Sequence, residues 1–445
     1  MKNNLTLLSA ANRYCVFNSE TLDIFSLNEF TFSVIRSYLN SENKPEVCRQ
    51  YNISIQDLDR ILSLLKYNTG MSSSGDCIFT PYKNISRITV HVSNDCNLRC
   101  KYCYAEGGNY HKERQLMTTT TANQLVEYCC NSFNKIDNIV FFGGEPFLNI
   151  DIMTQICEAF KEKFNKGYIN YLPRFGAITN GTIRTNKALS LIRKHFSFLT
   201  VSIDGPKEIN DTNRIFKNGK GSFELIDSFL KEVKILKNVD LFIEATFTNH
   251  HLSNGYNRKA IFDYLTSTYG AKVSVVDELS MESNVMNNTA NEISTDSAWF
   301  RSILEAIVNN RKLSKCEILH EIFAIDSNGG IFPCHINVGD GMEAVSSIWE
   351  SAVKVRKILQ ETTDYNLKNN STCKDCWAES LCGGCARSTF YDKTLQRYNN
   401  FPDNQKCELF RNIAAKTILK ICELKSDPQK WQKLIDDLKK PNPNT

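Results

Sequence analysis

Three kinds of feature are missing from this chain of 445 residues. No window approaches the roughly 18 apolar residues that a membrane-spanning helix needs. The N-terminal stretch MKNNLTLLSAANRYC lacks the basic patch and long apolar core of an export signal. There is also no internal repeat and no low-complexity segment. We therefore expect a folded protein of the cytosol, with no membrane partner.

An excess of positive charge is nearly absent as well. The formal net charge is only +4, and residues 1–70 carry seven basic and seven acidic side chains. A surface that binds DNA needs a basic footprint. We therefore expect no nucleic-acid partner.

Cysteine, in contrast, is abundant, with 17 residues. The cytosol keeps thiols reduced, so metal binding is a better explanation than disulfides. One cluster is formed by Cys96, Cys100 and Cys103, and a second group crowds the C-terminal third: Cys316, Cys334, Cys373, Cys376, Cys382, Cys385 and Cys407. The remaining cysteines have apolar neighbours and are predicted to be small core residues: Cys15, Cys48, Cys77, Cys129, Cys130, Cys157 and Cys422.

Residues 1–69 are predicted to form a small separate domain. CVFNSETLDIFSLN is typical of a hairpin, and three amphipathic helical segments follow: EFTFSVIRSYL, KPEVCRQY and SIQDLDRILSLLK. Ser54 followed by Asp57 marks a helix start. A strand pair with three helices suggests a winged helix, for which DNA binding is the alternative use. Residues 70–85 are predicted to be a linker.

Residues 86–300 alternate short apolar runs with helical patterns. The predicted strands are RITVHVS, NIVFFGG, RFGAITN, FLTVSIDG, LFIEATFTN and KVSVVDE. Runs that are apolar on both faces and separated by helices indicate parallel strands. The expected fold class is thus α/β, with a partial (β/α)6 TIM-like barrel whose site lies at the carboxyl ends of the strands.

Beyond a predicted helix at 294–312, regular periodicity fades while cysteine and glycine increase. A segment as irregular as residues 301–410 needs cross-linking by metal to be stable. Residues 411–445 are predicted to be helical, in ELFRNIAAKTILKICELK and QKWQKLIDDLKK.

The stretch CNLRCKYCY, from Cys96 to Tyr104, directly follows the first predicted barrel strand. Structural zinc needs about four protein ligands, and no fourth cysteine or histidine has suitable spacing; His111 lies eight residues on. Three thiolates suit a [4Fe–4S] cluster with one iron left open. A structural zinc site remains the alternative.

CNLRCKYCY resembles the CxxxCxxC signature of the radical S-adenosylmethionine (AdoMet) enzymes. The resemblance implies that the amino and carboxylate groups of AdoMet chelate the fourth iron. It also implies reductive cleavage of AdoMet to a 5′-deoxyadenosyl radical, with an external low-potential electron donor.

Several strand ends match the AdoMet-facing positions of that family. FFGGEP resembles its GGE motif, which implies that Gly143, Gly144 and Glu145 face the amino group; the alternative is a tight βα turn. ITNG, with Asn180, and SIDG, with Ser202 and Asp204, resemble positions near the ribose and carboxylate. Arg214 could pair a carboxylate, or it could be a solvated loop residue.

The C-terminal cysteines resemble the SPASM extension, an iron–sulfur domain that holds two auxiliary [4Fe–4S] clusters, which makes three clusters in total. The spacing is Cys316-x12-Gly329-x4-Cys334, then Cys373-x2-Cys376-x5-Cys382-x2-Cys385 and a distant Cys407. The family spacing before the last cysteine of the central run is three rather than two. Matched by position, one cluster is held by Cys373, Cys376, Cys382 and Cys407, and the other by Cys316, Cys334 and Cys385.

Seven cysteines cannot fill eight ligand positions. The auxiliary iron without a cysteine could bind a substrate thiolate, or it could be closed by water, a stray cysteine, His320 or His335. Ten thiolates and three cores of about +2 each would also bring the net charge to about zero, so the formal charge does not indicate nucleic-acid binding.

The N-terminal pattern resembles the RiPP recognition element, a winged helix that binds the leader of a ribosomally made precursor peptide by strand addition. The resemblances together imply a radical AdoMet/SPASM peptide maturase that installs oxidative crosslinks, with cysteine thioethers as the first choice. Carbon–carbon crosslinking, an anaerobic sulfatase (formylglycine) maturase and an iron–sulfur DNA-binding regulator are the alternatives. No catalytic acid or base is assigned; Tyr102, Asp277 and Glu278 are candidates by position only.

Overall fold

The computed structural model describes residues 4–66, 84–278, 298–313, 321–339, 341–351, 371–383, 391–392, 394–395, 397–399 and 402–439. Most of the predicted linker lies outside these residues, and so do Cys77, Cys316, His320 and Cys385. Across the described ranges, every helix is too short or too polar to cross a membrane.

The chain begins with a three-stranded antiparallel sheet, ordered β1 (Leu5–Ala10), β2 (Arg13–Asn18) and β3 (Ile24–Leu27). Three helices follow: α1 (Glu29–Ser41), α2 (Lys44–Tyr51) and α3 (Ile55–Leu64). The predicted hairpin and three helices are therefore confirmed, whereas β1 was not predicted. The assignment of this unit as a winged helix remains a prediction.

The start of α3 shows why the sequence folds in this way. The Ser54 hydroxyl accepts a hydrogen bond from the Asp57 backbone N–H (3.0 Å), and the Asp57 carboxylate accepts one from the Ser54 N–H (3.3 Å). This reciprocal capping box satisfies two N–H groups that the first helical turn leaves unpaired. The predicted helix start at Ser54 is confirmed.

Six parallel strands form the central sheet, in the order in which they occur along the chain. They are β4 (Asn84–Ser93), β5 (Lys135–Gly143), β6 (Arg174–Thr179), β7 (Phe196–Ser202), β8 (Asp240–Phe247) and β9 (Lys272–Asp277). All six correspond to predicted strands. The sheet has the partial-barrel arrangement expected from alternating strands and helices.

The helices between these strands cover the outer face of the sheet. They are α4 (Thr119–Ser132), α5 (Ile150–Asn165), α6 (Asn186–His195), α7 (Lys207–Asn213), α8 (Phe223–Val233), α9 (Asn249–Ser253) and α10 (Arg258–Tyr269). A short 3-10 helix, Pro146–Asn149, precedes α5. The largest hydrophobic core lies between these helices and the strands.

Alternation along β4 separates this core from the barrel lumen. Ile88, Val90 and Val92 belong to the core against the helices. Since successive side chains of a strand point to opposite faces, His91 and Ser93 lie on the lumen side. Polar residues near the carboxyl ends of the strands are thereby directed toward one mouth.

The C-terminal third adds three short strands to the same sheet. β10 (Ile322–Ile325) pairs parallel with β4, and β11 (Gly330–Phe332) and β12 (Ser346–Ser347) continue outward as antiparallel strands. The other elements of this region are α11 (Ala298–Val308), α12 (Ser371–Lys374), the β13–β14 pair (Tyr391–Asp392 and Arg397–Tyr398), α13 (Asn404–Lys425) and α14 (Pro428–Lys439).

The N-terminal sheet packs against the C-terminal helices. Its β2 residues Cys15 and Phe17 share a buried core with α11, α13, Ala378 and Leu381, and Arg13 forms an ion pair with Glu423 at 2.7 Å. Its other face packs against the helices that follow, through contacts such as Val16 with Ile35. The first 66 residues are thus held to the C-terminal third by a hydrophobic interface.

Candidate functional site

The three cysteines of CNLRCKYCY lie in the loop after β4, at the carboxyl end of the parallel strands. Each is partly exposed. The Leu98 backbone N–H donates to Cys96 Sγ (3.4 Å), and the Gly107 N–H donates to Cys103 Sγ (3.3 Å). Donors directed at sulfur favour the thiolate form that binds metal.

The protonation of these thiols sets a condition for metal binding. Burial raises the pKa of Cys96 to about 12 and that of Cys100 to about 11, with the nearby Glu145 charge adding to the effect at Cys96. Since only thiolates bind metal, loading must release protons.

Nowhere in the described ranges do three Cys, His, Asp or Glu side chains converge closely enough for one metal ion. The two alternatives from the sequence therefore remain predictions: a cluster in which the three thiolates each bind a different iron, and a structural zinc ion with a fourth ligand.

A second segment of the chain holds the cysteine loop in shape. The Arg99 N–H donates to the Ile215 carbonyl (2.6 Å), and the Lys101 N–H donates to the Asn213 carbonyl (3.0 Å). Leu98 forms a further backbone bridge with Phe216 in this segment. The loop between the cysteines is therefore paired like a short strand with residues 213–216, which begin at the last residue of α7.

The two glycines after β5 are required by the close approach of this loop. A Cβ atom on Gly143 would lie 2.1 Å from the Ser93 carbonyl oxygen, and one on Gly144 would lie 2.3 Å from that of Asp95. Gly143 also has φ +126°, a conformation that only glycine adopts readily. The glycines thus allow the backbone to pass directly behind the cysteine loop.

Glu145, which follows these glycines, is fully buried. Its carboxylate accepts hydrogen bonds from the Asn180 N–H (2.7 Å), the Thr179 hydroxyl (2.7 Å) and the Phe147 N–H (3.0 Å). It therefore ties the end of β5 to the end of β6. Burial raises its pKa, and these donors together with the Arg214 charge oppose that rise.

Asn180, at the end of β6, connects this support to the cysteine loop. Its side-chain NH2 donates to Cys96 Sγ (3.6 Å) and to the Asn97 side-chain oxygen (2.9 Å), while its own oxygen accepts from the Thr182 hydroxyl (2.6 Å). Asn180 is thus in direct contact with a predicted cluster ligand.

Ser202 is the last residue of the fourth barrel strand, and Asp204 and Arg214 follow it. Asp204 is fully buried, and its two carboxylate oxygens lie 2.8 and 2.9 Å from the Tyr102 hydroxyl and share its one hydrogen. Arg214 donates to the same Tyr102 oxygen (2.6 Å). Any contribution of Asp204 to AdoMet binding would thus be indirect, and Arg214 is a buried residue rather than a solvated one.

Aromatic rings line the lumen between the cysteine loop and the C-terminal third. Tyr104 lies 6.1 Å from Tyr110 by ring centroids, and Tyr110 lies 5.1 Å from His91. Phe142 then contacts both His91 and His335, each at 5.2 Å. His91 is fully buried, and burial lowers its pKa, so it is neutral at physiological pH.

This row of rings ends beside Cys334, a predicted auxiliary ligand. The Cys334 sulfur lies 3.7 Å from His335 Nδ1. Burial raises the pKa of Tyr104, and the nearby charges of Cys103 and Cys334 add to the rise. The pairing of β10 with β4 thereby places a residue of the C-terminal third at the mouth of the barrel.

Glu244 is a lumen residue that the sequence did not reveal. It lies on β8 between Ser202 of β7 and Ser274 of β9, its partners in register. Burial raises its pKa, which the Arg214 charge lowers in part. Within the described part of the chain, its carboxylate has no hydrogen-bond donor or ion-pair partner.

The described auxiliary cysteines other than Cys334 lie near one another. Cys373 lies in α12, and Cys376 and Cys382 lie in the turns that follow it. The Cys376 N–H donates to the Cys373 carbonyl (3.1 Å). Cys407 lies in the first turn of α13, within electrostatic reach of Cys376. The four cysteines assigned by position to one cluster thus come from two neighbouring segments.

Two of the candidates named by position, Asp277 and Glu278, lie at the end of β9 and directly after it. The Asp277 backbone pairs with Phe247 at the end of β9, and the Glu278 N–H donates to the Phe247 carbonyl (3.0 Å). Five of the seven cysteines predicted as core residues are buried: Cys15, Cys48, Cys129, Cys157 and Cys422. Cys130 is only partly buried.

The fold and the cysteine loop together define a class: a parallel partial barrel with a loop of three cysteines at its mouth. Comparison with protein families agrees with this class. Residues 90–265 match the radical SAM superfamily, and residues 316–377 match the SPASM iron–sulfur cluster-binding domain. The chain therefore contains a radical SAM domain followed by a SPASM domain. The first implies a [4Fe–4S] cluster and AdoMet, and the second suggests auxiliary clusters.

Curated relatives extend over most of the chain. It is 26% identical over 384 residues to the cysteine-type anaerobic sulfatase-maturating enzyme of Clostridium novyi (strain NT), covering 76% of this chain and 96% of the relative. It is 22% identical over 374 residues to the radical SAM cyclopropyl synthase TigE of Paramaledivibacter caminithermalis, covering 76% and 74%.

Solved structures give the same fold. Native anSMEcpe with bound AdoMet superposes with a TM-score of 0.55 at 18% identity, covering 79% of this chain and 99% of that one. At this identity the likeness supports the fold only.

Proposed function

We propose that this chain is a radical AdoMet peptide maturase that forms sulfur-to-carbon crosslinks in a ribosomally made precursor peptide. The observation that carries the proposal is the position of the lumen. It lies between the three-cysteine loop and Cys334, and a continuous row of ring contacts joins the two, from Tyr104 to His335. A substrate bound there is next to both predicted iron–sulfur sites.

The residues around the loop would hold the cluster and AdoMet. Cys96, Cys100 and Cys103 are the cluster ligands. The backbone at Gly143 and Gly144 would face the amino group of AdoMet, and Ser202, on the lumen side, its carboxylate. When both are bound, the cluster and AdoMet supply a 5′-deoxyadenosyl radical. Asn180, by donating to Cys96 Sγ, keeps that ligand charged and in place.

The SPASM domain would hold two auxiliary clusters, one through Cys373, Cys376, Cys382 and Cys407 and the other through Cys316, Cys334 and Cys385. Seven cysteines leave one auxiliary iron without a cysteine ligand. A substrate thiol bound at that iron would lose its proton and lie beside the lumen. His335, beside Cys334, is the described residue that could occupy the position instead.

A thioether link removes two hydrogens from the peptide. One leaves the carbon as an atom and is received by the 5′-deoxyadenosyl group, and the other leaves the thiol as a proton. As sulfur bonds to carbon, one electron must also leave the substrate, and an auxiliary iron–sulfur site is suited to accept it. The same balance holds for a carbon–carbon link, except that no thiol is consumed.

The experiment is an anaerobic incubation of the reconstituted protein with AdoMet, dithionite and a cysteine-containing candidate precursor peptide. We expect 5′-deoxyadenosine, a loss of two hydrogens per link and one alkylatable thiol fewer per link. Loss of hydrogens with all thiols retained would establish carbon–carbon linkage instead. Absence of 5′-deoxyadenosine would contradict radical chemistry altogether.

Formylglycine formation is the second candidate, because several of the curated relatives are sulfatase-maturating enzymes. In that reaction the cysteine sulfur is lost from the peptide and an aldehyde forms. Incubation with a short cysteine-containing sulfatase peptide therefore separates the two functions: aldehyde formation and loss of sulfur would favour the second candidate.

We further propose that the N-terminal sheet binds the peptide leader by strand addition along β3. This strand is at an edge of the sheet, and edge strands offer unpaired backbone groups. The leader segment of the precursor should slow amide exchange of residues 24–27 at least about tenfold, as each paired amide becomes protected. Exchange in β1, residues 5–10, provides the internal comparison; protection there alone would contradict binding at β3.

Glu244 should contribute to substrate binding, since its carboxylate lacks a donor among the described residues. Glu244→Gln should raise the KM for the peptide about tenfold, the expected loss for a charge-assisted hydrogen bond of about 1.4 kcal/mol. Asp240→Asn, at the opposite end of the same strand, is the matched control. A change in AdoMet affinity with an unchanged peptide KM would assign Glu244 to AdoMet instead.

A further inference from the structure

A buried network of three side chains lies behind the cysteine loop. Tyr102, between Cys100 and Cys103 in the sequence, donates to both Asp204 oxygens at 2.8 and 2.9 Å. Arg214 donates to the Tyr102 oxygen at 2.6 Å, and its NH1 lies 3.7 Å from Asp204 Oδ1. A cation and an anion are therefore joined through one neutral phenol.

Both charges are withdrawn from water. The Arg214 side chain is 7% exposed and that of Asp204 is fully buried. Asp204 also accepts from the Thr246 N–H (3.3 Å), and its backbone carbonyl is hydrogen-bonded to the His251 ring (2.9 Å). Two buried charges that only partly neutralise each other have a large effect on neighbouring groups, because the local dielectric constant is low.

The cysteine loop lies next to these two buried charges. The backbone hydrogen bond from Lys101 to Asn213 fixes the loop beside Arg214. Tyr102, which binds both Arg214 and Asp204, lies between Cys100 and Cys103 in that loop. A buried cation and a buried anion are therefore held beside two predicted cluster ligands.

We propose that the Asp204–Tyr102–Arg214 network sets the reduction potential of the iron–sulfur site held by Cys96, Cys100 and Cys103, with Arg214 raising it and Asp204 lowering it. Reduction adds one negative charge to a buried site, so a nearby cation favours the reduced state and a nearby anion opposes it. Tyr102 acts as a positioning residue that holds Arg214 at Asp204. This inference rests on the proposed function only for the presence of the cluster.

This role differs from the carboxylate contact suggested for Arg214 by the sequence. One guanidinium nitrogen is already engaged by Tyr102, and Nε is buried without a hydrogen-bond partner. Glu244 and Glu145 are the other carboxylates whose pKa the Arg214 charge lowers. A charge that acts on several groups in this way has an electrostatic role that does not depend on AdoMet being bound.

The test measures the redox midpoint potential of the cluster in the reconstituted full chain by EPR. The cluster at the cysteine loop is identified beforehand as the one whose g-values change when AdoMet is added. The midpoint is measured without AdoMet and without peptide, so it does not depend on the proposed crosslinking reaction. At the wild-type midpoint potential, Arg214→Met should lower the ratio of reduced to oxidised cluster about tenfold. This corresponds to a decrease of the midpoint potential by about 59 mV for one electron. Arg214→Lys should keep this ratio within about threefold of wild type, because the charge is retained.

Asp204→Asn should change the ratio in the opposite direction, toward the reduced state. Damage to the fold would not move the two variants in opposite directions. Arg174→Met removes an exposed arginine that pairs with Asp240 at the amino end of the barrel strands, opposite the mouth, and should leave the midpoint unchanged. If Arg214→Met binds no iron, the direction of Asp204→Asn decides the question.

The proposal is overturned if the two substitutions shift the midpoint in the same direction, or if neither shifts it. It is also overturned if Arg214→Met weakens AdoMet binding while the midpoint of the AdoMet-free cluster stays at the wild-type value. That result would mean that Arg214 contacts the carboxylate of AdoMet.

Discussion

Replacing Cys100 with alanine should lower the rate of 5′-deoxyadenosine formation at least about 1,000-fold, equivalent to a barrier increase of about 4 kcal/mol. Cys100 is the middle ligand of the loop and lies beside the buried network of Tyr102, Asp204 and Arg214. Without its thiolate, the loop offers only two protein ligands to a cluster that needs three. The EPR signal that responds to AdoMet should vanish together with the activity.

Iron bound by the C-terminal third should persist in this variant, since the auxiliary cysteines belong to other segments of the chain. Cys130→Ser provides the control: Cys130 is partly buried on α4, away from the loop, and its replacement should leave iron content and 5′-deoxyadenosine formation at wild-type values. If the Cys100 variant keeps the AdoMet-responsive signal, the loop after β4 is not the primary cluster site.

The barrel strands could be predicted from the sequence because each is a run of apolar residues bounded by turn residues. In β4, both faces are buried: one by the helices and the other by Tyr110 and the rest of the lumen. This pattern is typical of parallel strands and needs no knowledge of partners. The turn residues that bound each run also predict where the strand ends, and therefore which polar residues lie at the mouth.

Strand β1 was missed for a local reason. Its connection to β2 consists of Ala11 and Asn12, both with positive φ (47° and 60°), which is the conformation of a type I′ hairpin turn. That turn is usually signalled by Asn-Gly or Asp-Gly, whereas alanine is uncommon there. In the strand itself, only Leu5 is fully buried, so the alternation of apolar and polar residues is weak.

The partners of Arg214 could not be predicted, because they come from two other segments of the chain. Tyr102 is 112 residues away in the sequence, and Asp204 lies at the end of another strand. A sequence pattern can identify an arginine at this position, but not whether its guanidinium meets solvent, AdoMet or another side chain. The fold decides this by pairing residues 213–216 with the cysteine loop.

The interface between the first 66 residues and the C-terminal helices is also formed by segments that are distant in the sequence, so it could not be predicted either. This interface affects how leader binding should be tested. Arg13 and Glu423 pair across 410 positions, and Cys15 and Phe17 lie in one core with α13. Removing the N-terminal unit would expose that core to water, at a cost of about 25 cal/mol per Å2 of apolar surface. Loss of activity after such a deletion would thus not prove leader binding, whereas amide exchange along β3 in the intact chain avoids the problem.

The second large effect is expected for Gly143→Ala, which should destabilise the protein by more than about 3 kcal/mol and abolish iron binding at the cysteine loop. The added Cβ would lie 2.1 Å from the Ser93 carbonyl oxygen, a backbone atom that cannot move without shifting β4. The residue must also adopt φ +126°, which alanine tolerates poorly. Because Ser93 precedes the cysteine loop by only a few residues, relief of the clash displaces the loop itself.

Gly219→Ala separates these two contributions. Gly219 has φ +79°, but a Cβ atom there would meet nothing within 4 Å, so its replacement should cost only the conformational strain of about 1 kcal/mol. Thermal unfolding and iron content measured on both variants give the comparison. Equal losses in the two variants would mean that φ alone accounts for the effect. A loss of iron confined to Gly143→Ala would mean that the close approach of β5 to the loop is what keeps the three cysteines in position for a cluster.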